Sequence, residues 1–180
     1  MEPRIRSANA DDALWIDGLL RRRWSATRIA IHGQIIEAAN LPALVADHRR
    51  GLATYRRLGS DAELVTLDAD PVGVGTGTAI IEALAVRLRA ENCERLWLTT
   101  TNDKLSALRF YLRRGFRIIQ VRLGAVEAAR KLKPSIPMVG EYGISIQDEL
   151  DLCRAIGARA TRNTSPLPPW SQLTEATDRS

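Results

Sequence analysis

An α/β fold built on one mixed sheet is predicted by three observations. The chain has 180 residues, enough for one domain with a sizeable core. Its first part reads as a helix followed by short strands joined by tight turns. Its middle alternates strand, glycines, helix, strand, helix, strand. Segregated antiparallel strands followed by a β–α–β–α–β run call for a mixed sheet covered by helices.

The elements follow in order. "NADDALWIDGLLRRRW" (9–24) is an amphipathic helix with Ala13, Ile16, Leu19 and Leu20 on one face and Asn9, Asp11 and Asp12 at its start. "TRIAIHGQIIEAA" holds a strand. "LPALVADH" and "GLATYRR" form a hairpin, "LGSD" (58–61) a turn, and "AELVTLDA" (62–69) a strand leading into glycines. From Gly75 to Arg89, residues Gly77, Ile80, Ile81, Leu84 and Leu88 trace one helical face. "RLWLTTT" (95–101) is a strand. "NDKLSALRFYLRRG" is a helix with Asn102 as N-cap candidate, a stripe of Leu105, Leu108 and Leu112, and Gly115 as its stop. "FRIIQVRL" (116–123) is a strand and "GAVEAARKLKP" a short helix. "GEYGISI" is expected as a last strand and "QDELDLCRAIGARA" as a C-terminal helix. The domain is expected to span 1–161, and the polar, Pro-rich remainder, 162–180, to be a flexible tail.

Composition narrows the function. Net charge is +5, and 23 of the 26 basic residues are arginines. They are scattered, without a basic stripe interleaved with aromatics, which argues against nucleic-acid binding. No apolar run reaches the ~18 residues of a membrane span, and the N-terminus has no apolar signal segment. Cys93 and Cys153 are isolated, so neither a zinc site nor a disulfide scaffold is expected. A cytoplasmic protein without a metal is the reading that results.

"DADPVGVGTGTAIIEALAVRL" (68–88) carries the chemistry. Gly73, Gly75 and Gly77 stand between a strand and a helix start. Backbone N–H groups there point outward with no Cβ in the way, and the helix dipole adds about half a positive charge. A phosphate or pyrophosphate is the natural guest; a tight strand-to-helix turn is the plain alternative. A P-loop is excluded because no Lys follows Gly77. The dinucleotide fingerprint G-x-G-x-x-G is not matched by the G-x-G-x-G spacing, and no acidic residue ends the next strand.

"PVGVGTGTAIIEAL" resembles the acyl-CoA pyrophosphate loop of the GNAT superfamily of N-acetyltransferases, Q/R-x-x-G-x-G/A. Val72, Gly73, Val74, Gly75, Thr76 and Gly77 fill it, with Val72 where Gln or Arg is usual. "TTTNDKLSALRFYLRRGFR" resembles the superfamily's N-x-x-x-x-A-x-x-x-Y-x-x-x-G-F segment at Asn102, Ala107, Tyr111, Gly115 and Phe116. Together the two cover about residues 62–122. The stretch from "RRGF" to "GEYGI" is similar to a bacterial subgroup of undetermined substrate.

The resemblance implies the acyl-CoA N-acyltransferase fold, a mostly antiparallel central sheet of six to seven strands with flanking helices. It implies acetyl-CoA as cosubstrate and a primary amine as acceptor. Strands 62–69 and 95–101 would splay apart around the pantetheine arm, with backbone contacts from Leu67 and Ala69 and with Asn102 beside it. Tyr111 would protonate the leaving thiolate. Glu63 matches the base of the histone-acetyltransferase branch; Glu141, His32 and His48 are further candidates. An acyl-CoA-binding module without catalysis, or a nucleotide or NAD binder, stands as the alternative. A homodimer through the C-terminal helix is also expected from the habits of the superfamily.

Overall fold

The computed structural model describes residues 3–158. The expected boundary at 161 and the tail beyond it lie outside the described residues. Strand β1 (Ile5–Ser7) precedes helix α1 (Ala13–Trp24); β2 (Arg28–Ile31) and β3 (Gln34–Glu37) form a separate hairpin; β4 (Ala43–Ala46), β5 (Gly51–Leu58) and β6 (Asp61–Ala69) run as a meander. Helix α2 (Thr76–Ala90), β7 (Arg95–Thr101), α3 (Leu105–Leu112), β8 (Arg117–Arg122), α4 (Ala125–Leu132) and β9 (Glu149–Ala155) complete the order. The main sheet has seven strands in the order β1-β4-β5-β6-β7-β9-β8. Only the β6–β7 pair is parallel. This is the mostly antiparallel mixed sheet expected, not the parallel sheet of a dinucleotide domain.

Helix α2 covers one face of the sheet. Ile80, Ile81, Leu84 and Leu88 are fully buried on it, against Leu64 of β6, Leu96 and Leu98 of β7 and Leu152 of β9. Each such side chain contributes about 1.5–3 kcal/mol relative to an exposed one. The opposite face holds a second core, where Ile16 and Leu20 of α1 meet Ile29, Ile36, Val45, Leu52 and Val65. Asn9 and Asp12 form a capping box before α1, and Asp12 also takes both guanidinium nitrogens of Arg6, at 2.6 and 2.9 Å. No helix among the described residues is long and apolar enough to cross a membrane.

Four local expectations differ from the structure. The segment expected as a C-terminal helix is β9, inserted between β7 and β8. Glu149 and Asp151 point inward there, so buried carboxylates stand where a period-based reading looks for apolar residues. Residues 149–155 therefore do not form the helix face through which a homodimer is expected. "GEYGISI" forms a 3-10 turn at Glu141–Gly143 and a single bridge from Val139 to Ser145, since Tyr142 takes φ +59° and breaks any extended run. In α3 the inward residues are Leu108, Phe110 and Tyr111, whereas Leu105 and Leu112 are exposed.

Candidate active site

The sheet opens where the two parallel strands part. β6 and β7 pair only at Asp61↔Arg95, Ala62↔Leu96 and Glu63↔Trp97. The bidentate ion pair of Arg95 with Asp61, at 2.9 and 2.7 Å, clamps that closed end. Just above it, the β5–β6 register jumps from Tyr55↔Leu64 to Thr54↔Thr66, which leaves Val65 as a bulge. A bulge adds right-handed twist and bends its strand, and here it turns upper β6 away from β7.

The wedge is continuous with a cavity of about 360 Å³. Leu64–Asp68 line one wall and Leu98–Thr101 the other. Ile29–Ile31 of β2 roof it, Tyr111 reaches in from α3, and Glu149 from β9. The free edge of β6 faces the gap. Asp70 N–H bonds Arg50 O on the β5 side at 2.8 Å. Alternation along a strand then sends the polar groups of Ala69 and Leu67 to the other edge, into the wedge.

The glycine loop follows the open, C-terminal end of β6, between that strand and α2. Gly73 and Gly75 both have φ +91°, and nothing stands within 4 Å of where a Cβ would project. Gly75 is the N-cap of α2 and no side chain caps that end, so the first amides of the helix have no partner within it. A left-handed, side-chain-free turn at a helix start fits a pyrophosphate group. Gly77 has a second reason to be glycine: a Cβ there would come 3.1 Å from Phe110 Cζ, so it permits the α2–α3 contact. Val72, 88% exposed, offers no polar contact. A cation is nevertheless at hand. Arg114 stacks 3.5 Å over the Phe110 ring and donates through Nε to Thr78 Oγ1, in the first turn of α2, at 2.9 Å.

Tyr111 is half-buried, its ring held edge-on between Phe110 and Phe116. Burial, and then the nearby Asp68 charge, push the phenol above its usual range, against the pull of Arg114. It stays protonated at any ordinary pH. Asp68 is itself on the cavity wall and accepts from Trp24 Nε1 at 2.8 Å.

Two other expected residues lie outside the cavity lining, and a third reaches it. Asn102 does not cap α3 and is not among the residues lining the cavity. Its amide straps the segment before β9, donating to Ser145 O and accepting from the N–H groups of Gln147 and Asp148 at 2.9 and 3.0 Å. His48 sits in a 3-10 turn at Asp47–Arg49, also away from the cavity lining. Glu141 reaches the cavity, paired with Lys104 Nζ at 2.9 Å.

Glu63 is fully buried at the closed end of the wedge, outside the cavity lining, and accepts from Arg56 Nε at 2.5 Å. Burial pushes its carboxyl up to about 7, with Arg56 opposing. The native state therefore holds a proton that the unfolded chain releases near its ordinary 4.5. Glu63 thus subtracts stability as pH rises through this window, from about pH 5 to about pH 7. In Glu63→Gln that loss is expected to vanish, so the variant gains on wild type toward higher pH. Urea midpoints of both proteins at the two ends check it; parallel pH dependences would show Glu63 ionised throughout.

Sequence reasoning missed Glu149, Asp68 and Arg114. Nothing marks them locally, because each acquires its place only when distant strands and helices meet.

Comparison with known proteins gives one consistent result. The model of the acetyltransferase (GNAT) family matches residues 61–116, from the closed end of β6 to the residue before β8. The uncharacterized protein YdhI of Bacillus subtilis (strain 168) is 35% identical over 139 residues, 75% of this chain and 87% of that one. Among solved structures, the IAA acetyltransferase from Bacillus cereus ATCC 14579 superposes with a TM-score of 0.62 at 16% identity, covering 86% of this chain and 99% of that one. A GNAT family acetyltransferase from Elizabethkingia anophelis with acetyl-CoA bound gives 0.60 at 15%, covering 85% and 97%.

Proposed function

Because the chain belongs to the acetyltransferase (GNAT) family, we propose that it moves the acetyl group of acetyl-CoA to a primary amine by direct attack. The observation that carries this is the β6–β7 wedge, which joins a left-handed glycine loop at one end to Tyr111 inside the cavity. The acetyl-CoA-bound neighbour of the same fold supports the choice of cosubstrate.

Amides at Val72–Gly77 hold the pyrophosphate at the start of α2, with Arg114 supplying the charge that Val72 lacks. The edges of Leu67 and Ala69 bind the pantetheine amides as an added strand would. Asn102 acts indirectly, by fixing the segment that leads into β9 beside the wedge.

Energetics set what the protein must supply. Making a lysine-like amine neutral at pH 7 costs about 4.6 kcal/mol, from a pKa near 10.4. Leaving a thiolate unprotonated costs only about 2 kcal/mol, from a pKa near 8.5. A base is the larger need and an acid the smaller one. Tyr111 is the acid that gives the leaving sulfur its proton.

The test is release of CoA thiol from acetyl-CoA with a panel of primary amines. Saturable release with at least one amine is the expected result. Binding of acetyl-CoA by calorimetry with no release across the panel would make the chain an acyl-CoA-binding module. Binding of NADH in place of acetyl-CoA would overturn the assignment.

A further inference from the structure

One sheet face carries a row of polar groups sealed beneath the tip of the β2–β3 hairpin. His32, its side chain 1% exposed, stands over Trp97 with ring centroids 6.0 Å apart. Its Nε2 lies 2.7 Å from Thr99 Oγ1. That hydroxyl donates to Asp151 Oδ1 at 2.7 Å, and Arg122 donates to the same oxygen at 2.7 Å. A hydroxyl has one proton to give. Thr99 gives it to Asp151 and so accepts from His32, which places the imidazole proton on Nε2; this tautomer is assigned from the network. Burial, with the charges of Arg122 and Arg56, keeps the ring neutral far below its usual range.

The other nitrogen, Nδ1, then turns its lone pair toward Glu149 Oε2, 3.4 Å away. Glu149 is 2% exposed, yet it lines the same cavity as Tyr111. Its Oε2 has no hydrogen-bond donor among the described residues. A buried carboxylate oxygen without a donor, at a cavity wall, is costly unless something else supplies the proton. Glu63, the carboxylate expected from sequence, does not reach this space.

We infer that Glu149 is the group that takes the proton from the acceptor ammonium, its carboxylate held by the His32 backbone N–H. The inference rests on the acetyl-transfer reading above. One N–H bond of the ammonium breaks and an O–H bond forms on Glu149. The freed lone pair bonds the acetyl carbonyl carbon. The C–S bond breaks with its electrons on sulfur, and Tyr111 gives the thiolate its proton. The surplus proton on the new amide nitrogen restores Tyr111. Glu149 passes its own proton to water, so one proton leaves per acetyl group moved.

The groups facing Glu149 act in both directions. The His32 backbone N–H from the hairpin and Arg122 of β8, 3.9 Å away, favour its anionic form. Burial and Asp151 of β9 favour the protonated form, and burial is the larger cause. Arg56 and Glu63 lie farther along the row.

Two probe amines test the assignment by CoA thiol release. One is the fastest alkylamine of the panel, an ammonium ion at neutral pH; the other is methoxyamine, already neutral there. Glu149→Gln is expected to lower the alkylamine rate on the order of 10²–10⁴-fold at pH 7. That rate should climb about tenfold per pH unit toward the amine's own pKa. Methoxyamine turnover should stay within a few-fold of wild type, which also shows the variant folded. Glu149→Asp, which keeps a carboxylate, should fall between the two for the alkylamine. Equal losses for both amines in Glu149→Gln and in Glu149→Asp would overturn the assignment and leave a structural carboxylate. A wild type that binds acetyl-CoA and turns over neither amine would overturn the acetyl-transfer reading itself.

Discussion

Tyr111→Phe is expected to lower kcat about 10²–10⁴-fold, the usual contribution of a general acid, with KM for acetyl-CoA near wild type. The variant keeps the ring, and with it both edge-on contacts to Phe110 and Phe116. Only the phenol proton is lost, and in the proposed reaction it is used only as sulfur leaves. A group acting in the transition state and not in binding moves kcat and leaves KM alone. The loss should stay at the lower end of that range, because an unprotonated thiolate is a tolerable leaving group. Steady-state kinetics with a saturating amine measures both constants. A wild-type kcat would reduce Tyr111 to a wall of the cavity.

The larger effect on binding is expected at Gly75. Its φ of +91° is a conformation that costs other residues about 1–3 kcal/mol. Gly75→Ala carries that cost alone. Gly75→Asp adds a carboxylate in the open space before the first amides of α2, where the pyrophosphate is placed. Together, strain and like-charge repulsion should weaken acetyl-CoA affinity more than about 100-fold, at least ~2.7 kcal/mol by the logarithmic scale of affinity. Gly75→Ala should lose less. Calorimetry on variants whose thermal unfolding is intact gives the answer. Unchanged affinity in Gly75→Asp would remove the loop from the binding site.

Legibility in the sequence followed how local the cause was. The run from β6 through α2 to α3 was readable because its signals are contiguous: a β-rich stretch, glycines at a helix start, then apolar residues at helical spacing. Tyr111, which lines the cavity, was singled out for the same reason, by its place in a continuous pattern. β9 was misread because Glu149 and Asp151 point into the molecule, and a strand with acidic residues inside imitates one face of an amphipathic helix. Of the end of the site proposed to accept the proton, only His32 was named from the sequence. Glu149, His32 and Thr99 come from three separate stretches, and only the hairpin closing over the sheet brings them together. Asn102 was placed beside the cofactor, although its amide is consumed by the backbone before β9. The bulge at Val65 left no residue signature, since neither a glycine nor a proline marks it.

The insertion of β9 between β7 and β8 also fixes an order of events during synthesis. β7 and β8 leave the ribosome as neighbours in sequence, yet they never pair with each other. Until residues 149–155 emerge, both present unpaired backbone edges. Asp151, which anchors Arg122 and Thr99, arrives with the same strand, so the polar row stays uncompensated just as long. The nascent chain can therefore close its β4–β5–β6 meander early, whereas the half that completes the cavity waits for its last strand. A protein stalled before that point would carry a finished glycine loop on an unfinished sheet, sticky at two edges and inert, a natural substrate for chaperone capture.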